Sequence, residues 1–195
     1  PPYSPASSVP CVKHTAGAPR SPPDSTPARL PKKGGVVMVP FVPGFVSQKV
    51  ADWSRAVDAE VDRTRKQFPN DSAAARRAME AWAREHPPVR ATLADVADQI
   101  EHVRKVAGVD HVGIGSDFDG TGNNLPVGLH DVSTFPALLV ELSKRGWSER
   151  DLRKVAGENA LRVMAANEKV AARLRRERVA SNKTIEELDG RPPKM

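Results

Sequence analysis

Only two stretches of this chain have the composition of a buried β-strand. The first, residues 34–43, is an apolar, β-branched run between Gly-Gly and Pro-Gly, and the second, residues 111–115, ends just before Asp117 and Asp119. Short apolar runs of this kind are typical of parallel strands with both faces covered. Because no convincing strand follows residue 115 and two parallel strands cannot close a barrel, the pattern predicts the end of a larger α/β protein.

Helical segments separate the two strands. Residues 51–68 and 72–85 place apolar side chains at helical spacing among charged ones, which predicts a helical hairpin inserted at 47–88. Thr92 opens a capping-box variant with aspartate in place of glutamate, and Gly108 ends the helix that follows. The order strand, helix, strand predicts a βαβ unit with parallel strands.

The remainder of the chain also has a helical pattern. Ser133 or Thr134 is the predicted N-cap of one helix, and Ser148 opens a second capping-box variant with Asp151. A further helix is expected to be kinked near Gly157, and residues 184–187 predict one last helical turn.

Composition divides the chain into three parts and excludes some functions. Residues 1–33 hold half of the 18 prolines and predict an irregular lead, residues 34–179 form the folded part, and residues 180–195 form a polar tail. The net charge is +6, but the densest basic run, residues 173–178, has no interleaved aromatic residues, so we expect a solvated helix face and no nucleic-acid partner.

Other sequence features bear on the cellular location. No apolar run is long enough to cross a membrane and no signal peptide is visible, so a soluble, cytoplasmic protein without a membrane segment is expected. Cys11 is the only cysteine, which excludes an internal disulfide and a cysteine zinc cluster.

The loop at residues 117–124 allows several interpretations. A calcium-binding EF-hand loop requires a glutamate where Gly128 stands, and a phosphate-binding loop requires a lysine after the glycines. Two alternatives stay open: Asp117 and Asp119 simply turn and cap the chain, or Asp117 acts in proton transfer or metal binding at a strand end. In the second alternative Asp119 has a supporting role, because alternate strand residues point to opposite faces.

One stretch resembles a known signature. Residues 106–120 resemble the signature of the membrane dipeptidase (renal dipeptidase) family of zinc metallopeptidases. Three shorter matches occur in the same order as in the family: Gly34–Val39, Phe45–Ser47, and Trp147–Glu149 followed by Asn159–Val163.

The resemblance implies a fold and a chemistry. Residues 34–179, with the insert 47–88, would be the C-terminal part of a (β/α)₈ TIM-type barrel, here helix-rich and incomplete. The family binds two zinc ions and hydrolyses dipeptides. Asp117 matches its catalytic proton-transferring aspartate, Asp119 supports Asp117, and Phe45 stands at a substrate-binding position where family members carry a tyrosine.

The same resemblance predicts that metal ligands are missing. Pro5 stands in place of the family's last metal-binding histidine, and Ala16 in place of its substrate-carboxylate arginine. No metal ligand is therefore predicted, and the histidines are expected to be structural or superficial: His14, His86, His102, His111 and His130. The chain is then either part of a dipeptidase, inactive by itself, or a non-catalytic remnant or interaction module. Its expected partners are a dipeptide, a second copy of the chain, or a complementary N-terminal half.

Overall fold

The protein is a helix-rich α/β structure. The computed structural model describes residues 27–121 and 124–190. Predictions that lie outside these residues are those for Pro5, Cys11, His14, Ala16 and the rest of residues 1–26, for Gly122 and Asn123, and for residues 191–195. Among the described helices, none is both long and apolar enough to span a membrane.

The secondary structure follows the predicted order. The strands are β1 Val37–Pro40 and β2 Val112–Ser116. The helices are α1 Leu30–Lys33, α2 Pro43–Val46, α3 Gln48–Gln67, α4 Ser72–Glu85, α5 Leu93–Ala107, α6 Phe135–Lys144, α7 Glu149–Arg153, α8 Asn159–Glu177 and α9 Ile185–Leu188. Within the part predicted as an irregular lead, residues 27–33 form a 3₁₀ turn and α1, because proline is tolerated in a first helical turn.

The strands pair in parallel, which confirms the predicted βαβ unit. Val37 lies opposite Val112, and the register shifts after Val39, so that Pro40 lies opposite Ser116. The shift occurs where proline, which lacks an N–H, interrupts the ladder. Beyond Pro40 the pairing resumes with the N–H of Phe41, which donates to the carbonyl of Ser116 at 2.7 Å.

Helix α5 lies at the centre of the core. Its predicted capping box is confirmed: the Thr92 hydroxyl accepts from the N–H of Asp95 at 3.4 Å, and the Asp95 carboxylate accepts from the N–H of Thr92 at 2.8 Å. Val96, Ile100 and Val103 are fully buried along one stripe, as the sequence predicts. They belong to one hydrophobic cluster with buried side chains of both strands and of α6.

The predicted cap of α6 is correct in position only: Thr134 precedes the helix but makes no side-chain cap. The hydrogen-bonding cap before α6 is Asp131, whose carboxylate accepts from the N–H of Ser133 at 2.8 Å, and neither Ser133 nor Thr134 makes a side-chain cap. Asp131 is favoured because a 3₁₀ turn, Val132–Thr134, precedes the α-helix and moves the start of the helical segment upstream. Asp131 also has a pKa below its usual range, because its carboxylate accepts hydrogen bonds from the hydroxyl and N–H of Ser133.

The second capping box forms only in part. Ser148 accepts from the N–H of Asp151 at 3.2 Å, but the Asp151 carboxylate pairs with Arg104 of α5 at 2.8 Å. Arg104 also lies over the ring of Trp147, 4.3 Å from its centroid. The Asp151 carboxylate, which the sequence pattern predicts to bond to the N–H of Ser148, therefore pairs with Arg104 on another helix.

The predicted kink near Gly157 is a π-helical turn, Lys154–Glu158. Asn159, which follows the turn, is buried, and its amide donates to the carbonyls of Val109 at 2.7 Å and Val112 at 2.8 Å. This side chain fixes the first residue of β2.

The helical hairpin α3–α4 is present where it was predicted. The Asp71 carboxylate accepts from the N–H of Ala74 at 2.9 Å and caps α4. Near the middle of α3, Glu60 is buried and accepts from Nε of Arg63 at 2.8 Å. Both contacts are local in sequence.

The chain divides into two compact units between Ala160 and Leu161. In the described residues of the second unit, Thr184 and Glu187 form a reciprocal capping box at the start of α9, which confirms the predicted last turn. The domain boundaries predicted from composition stay predictions.

Candidate functional site

The candidate site lies at the carboxyl edge of the sheet. Asp117 follows the last residue of β2, and Phe45 lies on α2, just after β1. Because the strands are parallel, their carboxyl ends lie on the same edge, which is where ligands bind in α/β sheets. The fold thus brings Asp117, Asp119 and Phe45 to one edge. Asp117 and Asp119 are exposed and Phe45 is half-buried.

The backbone at this edge has an uncommon conformation. Ser116 and Asp117 have φ values of 54° and 70°, and they are the non-glycine residues with positive φ in the described chain. The N–H of Asp117 donates to the carbonyl of Gly115 at 2.8 Å, which closes a tight three-residue turn. Such conformations cost about 1–3 kcal/mol each and are concentrated at functional sites.

Glycine at position 115 is required by this geometry. A Cβ there would lie 2.9 Å from the carbonyl carbon of Met38 and 3.0 Å from the carbonyl oxygen of Val39. Only a residue without a side chain lets β2 approach β1 this closely before it turns.

An aromatic cluster anchors the residue between the two carboxylates. The ring of Phe118 packs edge-to-face on Phe41 at 5.6 Å and stacks on Phe135 at 5.8 Å between ring centroids. Because Phe118 packs inward, its neighbours Asp117 and Asp119 are left exposed to solvent. The cluster therefore fixes the backbone of the chain just after the end of β2.

The glycine-rich loop folds back on Asp117. The N–H of Gly120 donates to the Asp117 carbonyl at 3.1 Å, and the Thr121 hydroxyl donates to the Phe118 carbonyl at 3.3 Å. A Cβ on Gly120 would lie 2.5 Å from one Asp117 carboxylate oxygen. The Asp117 carboxylate thus occupies the space that a side chain at position 120 would fill.

The described residues do not fit a metal centre. No group of three or more histidine, cysteine, aspartate or glutamate side chains in the described ranges could hold a metal ion. His111 contacts the Gly35 carbonyl through Nδ1 at 2.7 Å, and His86 stacks on Trp82 with ring centroids 4.3 Å apart. The other described histidines lie on separate elements: His102 on α5 and exposed His130 in the loop before α6.

Sequence reasoning missed two positioning features. Ser116 and Asp117 gave no sign of positive φ, because this conformation is usually signalled by glycine. The sequence pattern indicates only that Asn159 lies in a helix, whereas in the structure its amide anchors the start of β2. A buried asparagine after a predicted kink could have indicated the second feature.

The chain is similar to known peptidases. The family model for "Membrane dipeptidase (Peptidase family M19)" matches residues 7–178. Human "Dipeptidase 3" is 49% identical over 80 residues, which are 41% of this chain and 16% of that protein.

Two solved structures from Pseudomonas aeruginosa share the fold. The probable dipeptidase PvdM superposes with a TM-score of 0.54 and 27% identity over 75% of this chain and 40% of that one. A protein described as an amidohydrolase gives a TM-score of 0.50 and 25% identity over 76% of this chain and 41% of that one. The chain therefore spans less than half the length of each of these relatives.

Proposed function

The chain belongs to the membrane dipeptidase family of metallopeptidases, and we propose that it serves in hydrolysis of the peptide bond of dipeptides, with Asp117 as the proton-transferring carboxylate. The observation that carries this proposal is the exposed Asp117 carboxylate on a strained turn at the carboxyl edge of β2. A carboxylate in this position can accept a proton from the attacking water and then donate it to the leaving amine when the peptide bond breaks.

Two neighbours have supporting roles in this proposal. Asp119, which is exposed in the same turn, would support Asp117, and the half-buried ring of Phe45 would offer an apolar contact to a substrate side chain. Both stay predictions, as does the cytoplasmic location expected from the sequence.

The proposal extends to the fold. The two strands would belong to an eight-stranded (β/α)₈ barrel, and the partial coverage of the family structures supports this. The family implies zinc, but the described residues do not supply a group that could hold it. No catalytic step is therefore derived through zinc for this chain alone, and we expect the isolated chain to be inactive.

A second candidate function is a non-catalytic module derived from the same fold. It is favoured by the contacts of two histidines that could otherwise bind a metal. His111 contacts a backbone carbonyl, and His86 stacks on a neighbouring aromatic ring. In this alternative Asp117 only turns the chain.

A chimera separates the two candidates. Residues 34–166 would replace the matching segment of an active dipeptidase of the family, which supplies the metal ligands. If Asp117 is catalytic, the chimera hydrolyses dipeptides, and Asp117→Asn lowers kcat by about 100-fold or more. Asp58→Asn, which replaces an exposed carboxylate of α3 within the same segment, is the control and should leave kcat unchanged.

The isolated chain gives a second test. We expect no stoichiometric zinc after dialysis and no dipeptide turnover, measured by metal analysis and amine release. Turnover by the isolated chain together with bound zinc would contradict the expected inactivity. A folded but inactive chimera would instead favour the non-catalytic module. Light scattering tests the expected self-association or pairing with an N-terminal half.

A further inference from the structure

A cleft of about 450 Å³ lies between the helices of the hairpin α3–α4. Its lining residues lie between positions 61 and 79, so none of them belongs to the candidate site at Asp117. Its volume lies within the range of about 300–1,000 Å³ that is usual for small-molecule sites.

The inner wall of the cleft is mainly apolar. Three half-buried apolar side chains line it: Val61 of α3, Phe68 just after the end of α3, and Met79 of α4. Ala75 also lines the cleft, and its small side chain leaves part of the cleft unfilled. The buried Thr64 hydroxyl already contacts the Met79 sulfur at 3.6 Å. A ligand would therefore meet hydrophobic contacts in the inner part.

The outer wall carries positive charge. Arg65 of α3 and Arg76 of α4 line the cleft from opposite helices, and no acidic residue is among the lining side chains. Their ion pairs are loose: Arg65 to Asp62 at 3.8 Å and Arg76 to Glu80 at 3.7 Å. Both distances are longer than a normal hydrogen bond, so the two guanidinium groups still have N–H donors available for an anion. A planar carboxylate matches the geometry of these donors.

We propose that this cleft binds a small apolar monocarboxylate, such as an N-acylated apolar amino acid, with its apolar part against Phe68 and Met79 and its carboxylate between Arg65 and Arg76. The two chemical halves of the cleft favour a ligand with one apolar end and one anionic end. The proposal does not depend on hydrolytic activity.

A matched pair of ligands tests the anionic half. Titration of the full chain with N-acetyl-L-leucine, followed by backbone amide NMR, is expected to give saturable shifts in α3 and α4 with a Kd of about 1 mM. N-acetyl-L-leucinamide has the same apolar body without the charge and is expected to bind about tenfold more weakly. Shifts that do not saturate, or equal affinity for both ligands, would overturn the proposal.

Matched double variants test the two arginines. Arg65→Gln with Arg76→Gln is expected to reduce affinity for the acid to that for the amide. Lys66→Gln with Arg77→Gln removes the same charge from exposed positions on the same helices that do not line the cleft, and should leave binding unchanged. An equal loss in both double variants would mean that net charge alone attracts the acid, and would overturn the assignment.

A third variant tests the apolar half. Ala75→Leu fills the cleft from the α4 side and suits a helix, so the fold should be retained. It should abolish saturable binding of both ligands, with unchanged circular dichroism as the check on folding. Retained binding in a folded Ala75→Leu protein would place the ligand elsewhere and contradict the proposal.

Discussion

Helix α5 and the hairpin α3–α4 have similar amphipathic sequences, but different contacts stabilise them. Val96, Ile100 and Val103 of α5 are fully buried under the sheet and its neighbouring helices. In the hairpin, Val50 near the start of α3 is buried, but the large apolar side chains farther along stay half-exposed. The buried residues in the middle of α3 are the polar Glu60 and Thr64. Amphipathic periodicity thus identifies a helix without determining how deeply it is buried.

The ion pairs of the two regions differ in the same way. Arg145 follows α6 and reaches back to Asp98 at 2.7 Å and Glu101 at 2.8 Å on α5, and these carboxylates raise its pKa against the opposing effect of burial. In the hairpin, Arg63 pairs with Glu60, three residues away on the same helix. Long-range pairs tie α5 to its neighbours, whereas local pairs do not, so we expect the hairpin to open before the core.

The largest expected effect comes from shortening a buried side chain of α5. Ile100→Ala leaves a cavity at a fully buried position and should lower the free energy of unfolding by about 2–5 kcal/mol. Val57→Ala, at a half-exposed position of α3, should cost less than about 1 kcal/mol. Urea denaturation measures both, and similar losses would show that the hairpin is as well packed as the core.

A second comparison concerns the stability cost of adding a side chain at a glycine of β2 and at a glycine of α2. Gly115→Ala would place a Cβ 2.9 Å from the Met38 carbonyl carbon, so it should destabilise the protein by about 1–3 kcal/mol. Gly44→Ala on α2 meets no atom within 4 Å and should be neutral or slightly stabilising. Thermal unfolding of the two variants checks the difference, and a neutral Gly115→Ala would mean that β1 and β2 separate easily.

A third test removes a buried polar anchor of the core. Asn159→Ala leaves the carbonyls of Val109 and Val112 without this donor, so we expect a loss of about 1–3 kcal/mol and faster hydrogen exchange in β2. Exchange in the hairpin should not change. Asn167→Ala, at an exposed position of α8, is the control and should have little effect. Unchanged exchange in β2 would show that the sheet holds this strand without Asn159.

The smallest expected effect is the loss of one stabilising contact in the hairpin at acidic pH. The hydrogen bond from Arg63 holds the pKa of Glu60 below its ordinary value of 4.5. Because the folded pKa is the lower one, the stabilisation is present above pH 4.5 and is lost as pH falls through the folded pKa. Amide chemical shifts of α3 around Glu60 should therefore change only below about pH 4.5, where protonation of Glu60 breaks its pair with Arg63.

Glu60→Gln should remove this acid step from the hairpin, and Glu80→Gln, an exposed residue of α4, should keep it. If α3, α4 and α5 respond together at one pH in the unchanged protein, then the hairpin and the core unfold as one unit.

Much of the secondary structure could be predicted because its causes are local. Pro69 separates the two hairpin helices, and the Thr92–Asp95 capping box begins α5 as predicted. Ser148 caps α7 as predicted, but the return bond from Asp151 is absent, and Ser133 does not cap the helix before which it stands. Asp151 is held by Arg104, and a 3₁₀ turn moved the cap upstream to Asp131.

The sequence by itself determined the order of the two strands and the longer helices, since apolar spacing, glycine, proline and caps act within a few residues. It also indicated Asp117, through the resemblance of the stretch that contains it. Only the tertiary structure decided that Ser116 and Asp117 adopt positive φ, that Phe118 packs on Phe41 and Phe135, and that α5 rather than the hairpin forms the core. These features depend on groups far apart in the chain, which meet only when β1 and β2 pair.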